Sequence, residues 1–419
     1  MNKIVIKDHI REVPLDHFNK KKDSIHVFAR EVYQKGNEKA DIFVYLQGGP
    51  GFASPRSAES LPAFKVLLSK YRLVLLDQRG TGKSDKIGPE TCLSFSKDED
   101  LAKYFTYFRA DQIVCDVEYL REKVFKAKKI FLIAQSYGGF ISFTYLSFFP
   151  QSIAGVLVFG GIPPLLENSV ENIYDVLTNN IIKRNKEYYK KFPKDKTKIK
   201  KILAQLKNKP YQLPDGGNLT AERFLDMGMI LGATGGINSL HNLLDDPFVN
   251  AKEKAISYFF ARTSADRTSF ETNPIYAVLH ESIYCNAIAS NWAAAKNLYS
   301  KKEFSLNSPN TFFYGETIRP SMFKDYAMLR PYKKAAEIIA KKADWGLLYH
   351  LDQLTKNTVP IEALVYQTDY YVDPTFSVNT SKVIPKLNIT IDPKLQHDSI
   401  RTKGPEIVAN ALKKLLKRI

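Results

Sequence analysis

The chain is 419 residues long, 44% apolar and 25% charged, with 61 Lys+Arg against 44 Asp+Glu and a net charge of +17. That composition fits a globular protein with a sizeable core and excludes a disordered or fibrous chain. No apolar run approaches the roughly 18 residues of a membrane span, and Cys92, Cys115 and Cys285 are an odd number without CxxC spacing, against a disulfide framework or a zinc site.

Residues 1–9 alternate charge with short apolar stretches and lack the continuous apolar segment of a secretory signal, so the expected location is the cytoplasm. Strands are predicted over 25–33, 41–47, 72–77, 129–134 and 155–159. The continuous runs Leu73-Val74-Leu75-Leu76 and Ile130-Phe131-Leu132-Ile133 suit strands buried on both faces, as in a parallel sheet. Helices are predicted over 111–128 and 137–149, the second stopped by Pro150.

From about Pro163 to His350 strand-like runs become scarce, and 170–190, 251–262 and 333–343 read as helices. Ten lysines between Lys186 and Lys209 read as a solvated helix face rather than a nucleic-acid surface. Strand runs return at 361–366 and 387–391, and 405–419 is an amphipathic helix with Pro at its start and lysines near its end. The alternation predicts an α/β fold with a mostly parallel sheet built from 1–160 and 351–419, interrupted by a helical cap at 161–350.

The strongest local signal is Ala134-Gln135-Ser136-Tyr137-Gly138-Gly139, placed between a buried strand and a helix. This is the context of a nucleophile elbow, G-x-S-x-G, in which a tight turn projects the serine and small residues two before and two after it avoid the neighbouring strand and helix. Ala134 occupies the first of those places. In this architecture the partners follow in the order Ser…Asp/Glu…His. Of seven histidines, His9, His17 and His26 precede Ser136, His241 and His280 lie in the helical block, and His350 ends it. His397 alone follows a late strand and precedes the last helix, which makes it the candidate base. Past the strand at 361–366 stand two candidate acids: Asp369 is favoured, and Asp373, before Pro374, is the alternative or a helix cap. Oxyanion donors are expected from the Tyr137 N–H and from Gly49 in Gln47-Gly48-Gly49-Pro50-Gly51, where glycines allow close backbone approach.

Arg79-Gly80-Thr81-Gly82-Lys83-Ser84 ends like a phosphate loop, but Asp77 stands where GxxxxGK[ST] needs Gly, and GxGxxG fails at Asp85. No nucleotide, metal or other cofactor is expected.

Taken together these residues resemble the proline iminopeptidase (prolyl aminopeptidase) family of α/β-hydrolases. That family carries an HGGPG motif, a DQRGxGxS motif and a serine elbow in this order, here beginning at Gln47, Asp77 and Ala134. The likeness continues through Leu279-His280-Glu281-Ser282-Ile283-Tyr284-Cys285, Asn291-Trp292-Ala293-Ala294, Tyr371-Val372-Asp373 and Gln396-His397-Asp398. It implies an α/β-hydrolase core with a helical cap. It also implies a Ser-His-Asp acyl-enzyme mechanism that releases the N-terminal residue, preferentially proline, from peptides with a free N-terminus. An acidic cap side chain would hold the α-amino group: Glu281, with Glu316 in reserve, and Gly48 would line the substrate site. Two departures, Gln47 for the family's histidine and Ala134 for its glycine, leave open an aminopeptidase of other preference or an esterase. Oligomeric state has no signature in the sequence.

Overall fold

The continuous apolar runs become the centre of an eight-stranded sheet in the computed structural model, which describes residues 3–19, 23–57, 61–250 and 255–419. Its first six strands are β1 (Ile4–Pro14), β2 (Ser24–Gln34), β3 (Ile42–Leu46), β4 (Arg72–Asp77), β5 (Ile130–Gln135) and β6 (Ile153–Phe159). A long helical interval follows, in which the strands among the described residues are a small hairpin of β7 (Tyr211–Gln212) and β8 (Asn218–Leu219). The sheet resumes with β9 (Ile361–Tyr366) and β10 (Leu387–Asp392), giving the order β1-β2-β4-β3-β5-β6-β9-β10. The β1–β2 and β2–β4 pairs are antiparallel and the remaining five are parallel. Every residue of β3 and of β5 is buried, as expected for central strands covered on both faces.

Several elements differ from the sequence reading. Strand β1 was not among the predicted strands. It is an edge strand in which only Val13 is buried, so no apolar alternation marks it. The 111–128 helix is shorter: Ala110–Tyr119 is α-helical, Leu120–Phe125 winds as a π-helix, and Lys126 ends it at φ 49°. The 251–262 helix instead runs Tyr258–Arg267, because the Ser257 hydroxyl caps it by accepting from the Phe260 N–H at 3.1 Å. Residues 251–254 of that reading, like residues 1–2 of the N-terminal one, lie outside the described residues.

The interval between β6 and β9 divides its apolar surface between two cores. Leu279, Tyr332, Ile339 and Trp345 pack into the core shared with the sheet. Ile181, Tyr188, Leu206, Phe224 and Phe313 form a separate core, which Tyr370 joins from the loop after β9. The helix Asp195–Asn208 buries apolar residues at three- and four-residue spacing on this second core. Helix Val170–Lys191 is divided: Val170, Ile173, Tyr174 and Leu177 enter the core shared with the sheet, and Ile181, Ile182, Tyr188 and Tyr189 the second. Of the ten lysines between Lys186 and Lys209, all but the half-buried Lys196 and Lys198 are exposed. Among the described residues no helix is long and apolar enough to cross a membrane.

Candidate active site

Parallel strands in register deliver their carboxyl ends to one edge of the sheet. Leu46 pairs with Ala134, Gln135 with Phe159, Phe159 with Leu364, and Tyr366 with Asp392. The loops that follow β3, β5, β6, β9 and β10 therefore emerge side by side, in the crevice where open α/β sheets bind ligands.

Ser136 sits where β5 turns into the helix Tyr137–Phe148, with φ 54° and ψ −127°. For a residue with a side chain this is a strained backbone. The turn is held by Ser136 N–H to Phe159 carbonyl at 3.0 Å and Gly139 N–H to Ser136 carbonyl at 2.8 Å. A Cβ on Gly138 would stand 2.0 Å from the Leu46 carbonyl oxygen, and one on Gly139 2.1 Å from that of Gly161. Glycine at those places is a steric requirement of the elbow. Ala134 lies within β5, fully buried, and its methyl is accommodated there.

The side chains meet as follows. His397 Nε2 lies 2.9 Å from Ser136 Oγ, and His397 Nδ1 lies 2.6 Å from Asp369 Oδ2. Asp369 Oδ1 accepts the N–H groups of Tyr371 at 2.9 Å and Val372 at 3.2 Å, which fixes the carboxylate. The His397 ring packs on Tyr371 at 4.7 Å between centroids, and its carbonyl accepts from Gln135 Nε2 at 3.3 Å. Burial works against protonation of His397, but the charge and hydrogen bond of Asp369, helped by Glu316 and Asp398, outweigh it and hold the imidazole pKa above its ordinary 6.5. Asp373 is elsewhere: its Oδ1 accepts from Thr375 and Phe376 N–H and caps the helix Pro374–Val383.

Gly48 closes on the serine from the β3 side: a Cβ there would be 2.9 Å from Ser136 Cβ and 2.8 Å from Gln135 Oε1. Gly49, at φ 139°, needs the freedom of glycine. This loop is braced by the DQRGTGKS segment, since Gln78 Nε2 donates to the Gln47 carbonyl at 2.8 Å. Asp77 in turn accepts from Ser54 N–H and Lys83 N–H, at 3.0 and 2.7 Å, and from Arg56 at 2.6 Å. Arg79 is buried and paired through two nitrogens with Asp116, at 2.6 and 2.7 Å, beside His17. The segment that mimics a phosphate loop is a scaffold of internal hydrogen bonds. Gln47 is buried and its Oε1 accepts from the Tyr45 hydroxyl at 2.9 Å.

Two carboxylates between β6 and β9 matter here, Glu281 in the 3₁₀ helix Glu281–Tyr284 and Glu316 in the irregular segment before Met322. Glu281 is buried; its Oε1 accepts from Ala294 N–H at 2.9 Å, and its Oε2 makes no hydrogen bond of normal geometry. Burial pushes its pKa up to about 7, against hydrogen bonds from Ser290 and Ala294. Glu316 is held by the Tyr276 hydroxyl and by His280 Nε2 at 3.3 Å, while His280 Nδ1 faces the Tyr174 hydroxyl at 3.2 Å. Burial would raise the Glu316 pKa, but His280, the Tyr276 hydroxyl and His397 together bring it below the ordinary value. Among the described residues no group of three or more His, Cys, Asp or Glu side chains converges to hold a metal.

Residues 41–200 match the family model described as alpha/beta hydrolase fold. A proline iminopeptidase from Aeromonas sobria is 36% identical over 404 residues, covering 96% of this chain and 94% of that protein. The chain belongs to the proline iminopeptidase family. A second member, from Aspergillus aculeatus, is 32% identical over 412 residues, covering 95% of this chain and 90% of its own. The protein is thus an α/β-hydrolase enzyme of the prolyl aminopeptidase type.

The serine elbow, the chain order and the position past the 361–366 strand led to Ser136, His397 and Asp369, but three neighbours were not among the candidates. His280 sits between Glu316 and Tyr174, Tyr371 lies on the imidazole, and Asp398 adds to its field. The one available hint was that His280, Tyr371 and Asp398 all stand in the stretches that resemble the family.

Proposed function

We propose that this protein is a serine aminopeptidase that removes an N-terminal residue, preferentially proline, from peptides. The observation that carries this reading is the continuous chain Ser136 Oγ, His397, Asp369 at the carboxyl ends of β5, β10 and β9. His397 Nε2 takes the Ser136 proton as Oγ attacks the carbonyl carbon. Asp369 holds the tautomer with its proton on Nδ1 and stabilises the imidazolium. The N–H groups of Tyr137 and Gly49 receive the oxyanion. His397 then passes its proton to the leaving amine, and water, activated by the same histidine, hydrolyses the acyl-enzyme.

The free α-amino group of the substrate is assigned to Glu281, supported by the unpartnered Oε2 in a buried setting, where a charge-assisted hydrogen bond is strong. Glu316 is the reserve anchor, and Gly48 lines the acyl side. An ammonium anchor explains exopeptidase action, since an internal peptide bond has no amine to offer. In this reading residues 161–350 are the cap and 1–160 with 351–419 the core. The cytoplasm is the assigned compartment, in keeping with three unpaired cysteines.

Ser136→Ala tests the reading. The variant is expected to fold and to lose turnover of a proline amide, and a fluorophosphonate is expected to label Ser136 in the natural protein only. Retained turnover, or labelling at another residue, would overturn the assignment.

A further inference from the structure

We propose that residues 226–234 of the inserted helical region are a clamp that positions both His397 and Asp369. The inference rests on the Ser136–His397–Asp369 reading above and goes beyond it. Adjacent strands β9 and β10 fix where the acid and base loops begin, but not where they end. Residues 226–234 touch both loops.

The clamp starts from a rigid anchor. Asp226, buried at the head of the 3₁₀ helix Asp226–Gly232, accepts from Arg319 Nη1 at 2.6 Å, Arg319 Nη2 at 2.9 Å and the Tyr326 hydroxyl at 2.8 Å. Its middle grips the acid loop. The Tyr370 hydroxyl donates to the carbonyls of Gly228 and Met229, at 2.8 and 2.7 Å, and the Tyr371 hydroxyl also reaches the Met229 carbonyl. A Cβ on Gly232 would stand 2.2 Å from Tyr371 and 2.5 Å from Tyr370, so both rings lie directly on this backbone. These tyrosines follow Asp369, and Tyr371 is the ring packed on His397.

Its far end holds the base loop. Thr234 donates through N–H and Oγ1 to Asp398 Oδ1, at 2.8 and 2.6 Å, and Asp398 is the residue after His397. On the other side of the histidine, Arg184 bridges the Leu231 carbonyl at 2.8 Å and Gln396 Oε1 at 3.4 Å. A hydrogen-bonded relay of serine, histidine and acid loses rate steeply with small displacements. The clamp therefore acts on kcat, through loops it holds from outside the sheet.

The test uses the exposed end, where substitution threatens folding least. Asp398→Ala and Thr234→Val are each expected to lower kcat on a proline amide about five- to tenfold with KM within about twofold. Thr234→Ser should restore most of the loss, and the double variant should be no worse than Asp398→Ala alone. Unchanged kcat, a change confined to KM, or a Ser variant as impaired as Val would overturn the clamp. Ser136→Ala is assayed alongside: inactive Ser136→Ala with normal Asp398→Ala removes the clamp only, whereas active Ser136→Ala removes both.

Discussion

Asp369 Oδ2 lies 2.6 Å from His397 Nδ1, while Asp373, four positions further on, caps a helix through Oδ1 and accepts the Asn180 amide at 2.7 Å through Oδ2. The two carboxylates therefore separate by variant. Asp369→Asn is expected to lower kcat by about 10³–10⁴, through loss of the correct histidine tautomer. Asp373→Ala is expected to cost about 1–2 kcal/mol of stability as a lost cap and to keep kcat within a few-fold. Steady-state kinetics and urea melts on both variants check this, and the reverse pattern would make Asp373 the acid.

Glu281 makes stability depend on pH in an unusual direction. Its folded pKa, about 7, lies above the ordinary 4.5, so the protonated form is the one the fold favours. The contribution is fully present below about pH 4.5 and is lost as pH rises through about 7. Glu281→Gln removes the buried charge and is expected to stabilise the protein at pH 8 by up to about 3 kcal/mol, with no gain near pH 4. Paired thermal or urea melts at the two pH values measure it. A variant less stable at pH 8 would mean that a compensating cation faces Glu281.

The base sets a second pH dependence. His397 must be neutral to accept the Ser136 proton, and its pKa is raised, so kcat/KM for an ester lacking an amine should fall on the acid side with a midpoint above 6.5. Glu316 contributes to that raised value, so Glu316→Gln should move the midpoint to lower pH. A midpoint that stayed in place or rose would show that the charge of Glu316 does not reach the imidazole.

Gly138 tests the elbow's sterics. Its missing Cβ would meet the Leu46 carbonyl oxygen at 2.0 Å, a backbone atom of a central strand that has no room to yield. Gly138→Ala is expected to cost about 3 kcal/mol or more by overpacking, read as a lowered Tm and poor soluble yield. A variant with natural Tm would show that the elbow relaxes.

Buried strands were legible because burial on both faces writes itself as continuous apolar runs, and the bounds of β4 and β9 match theirs closely. Ser136, Asp369 and His397 could be picked out because each follows a strand in a set order. Strand β1 was not legible, since exposure at a sheet edge removes the alternation on which a strand reading depends. Nor were the pairs Asp226–Arg319 and His280–Glu316, which join positions 93 and 36 residues apart whose spacing reflects no local period. The path of the inserted helices was equally hidden: amphipathic stripes show that helices pack, not on which of two cores.

Ser136 acting on substrates held by their free amine distinguishes an aminopeptidase from an esterase. The most direct measurement is amine release from Pro-, Ala- and Leu-amides, each beside its N-acetylated counterpart. Fastest turnover of the free proline amide, abolished by acetylation, is the predicted result. Turnover indifferent to acetylation, or seen only with simple esters, would leave Ser136 a hydrolase nucleophile without an amine anchor and overturn the aminopeptidase reading.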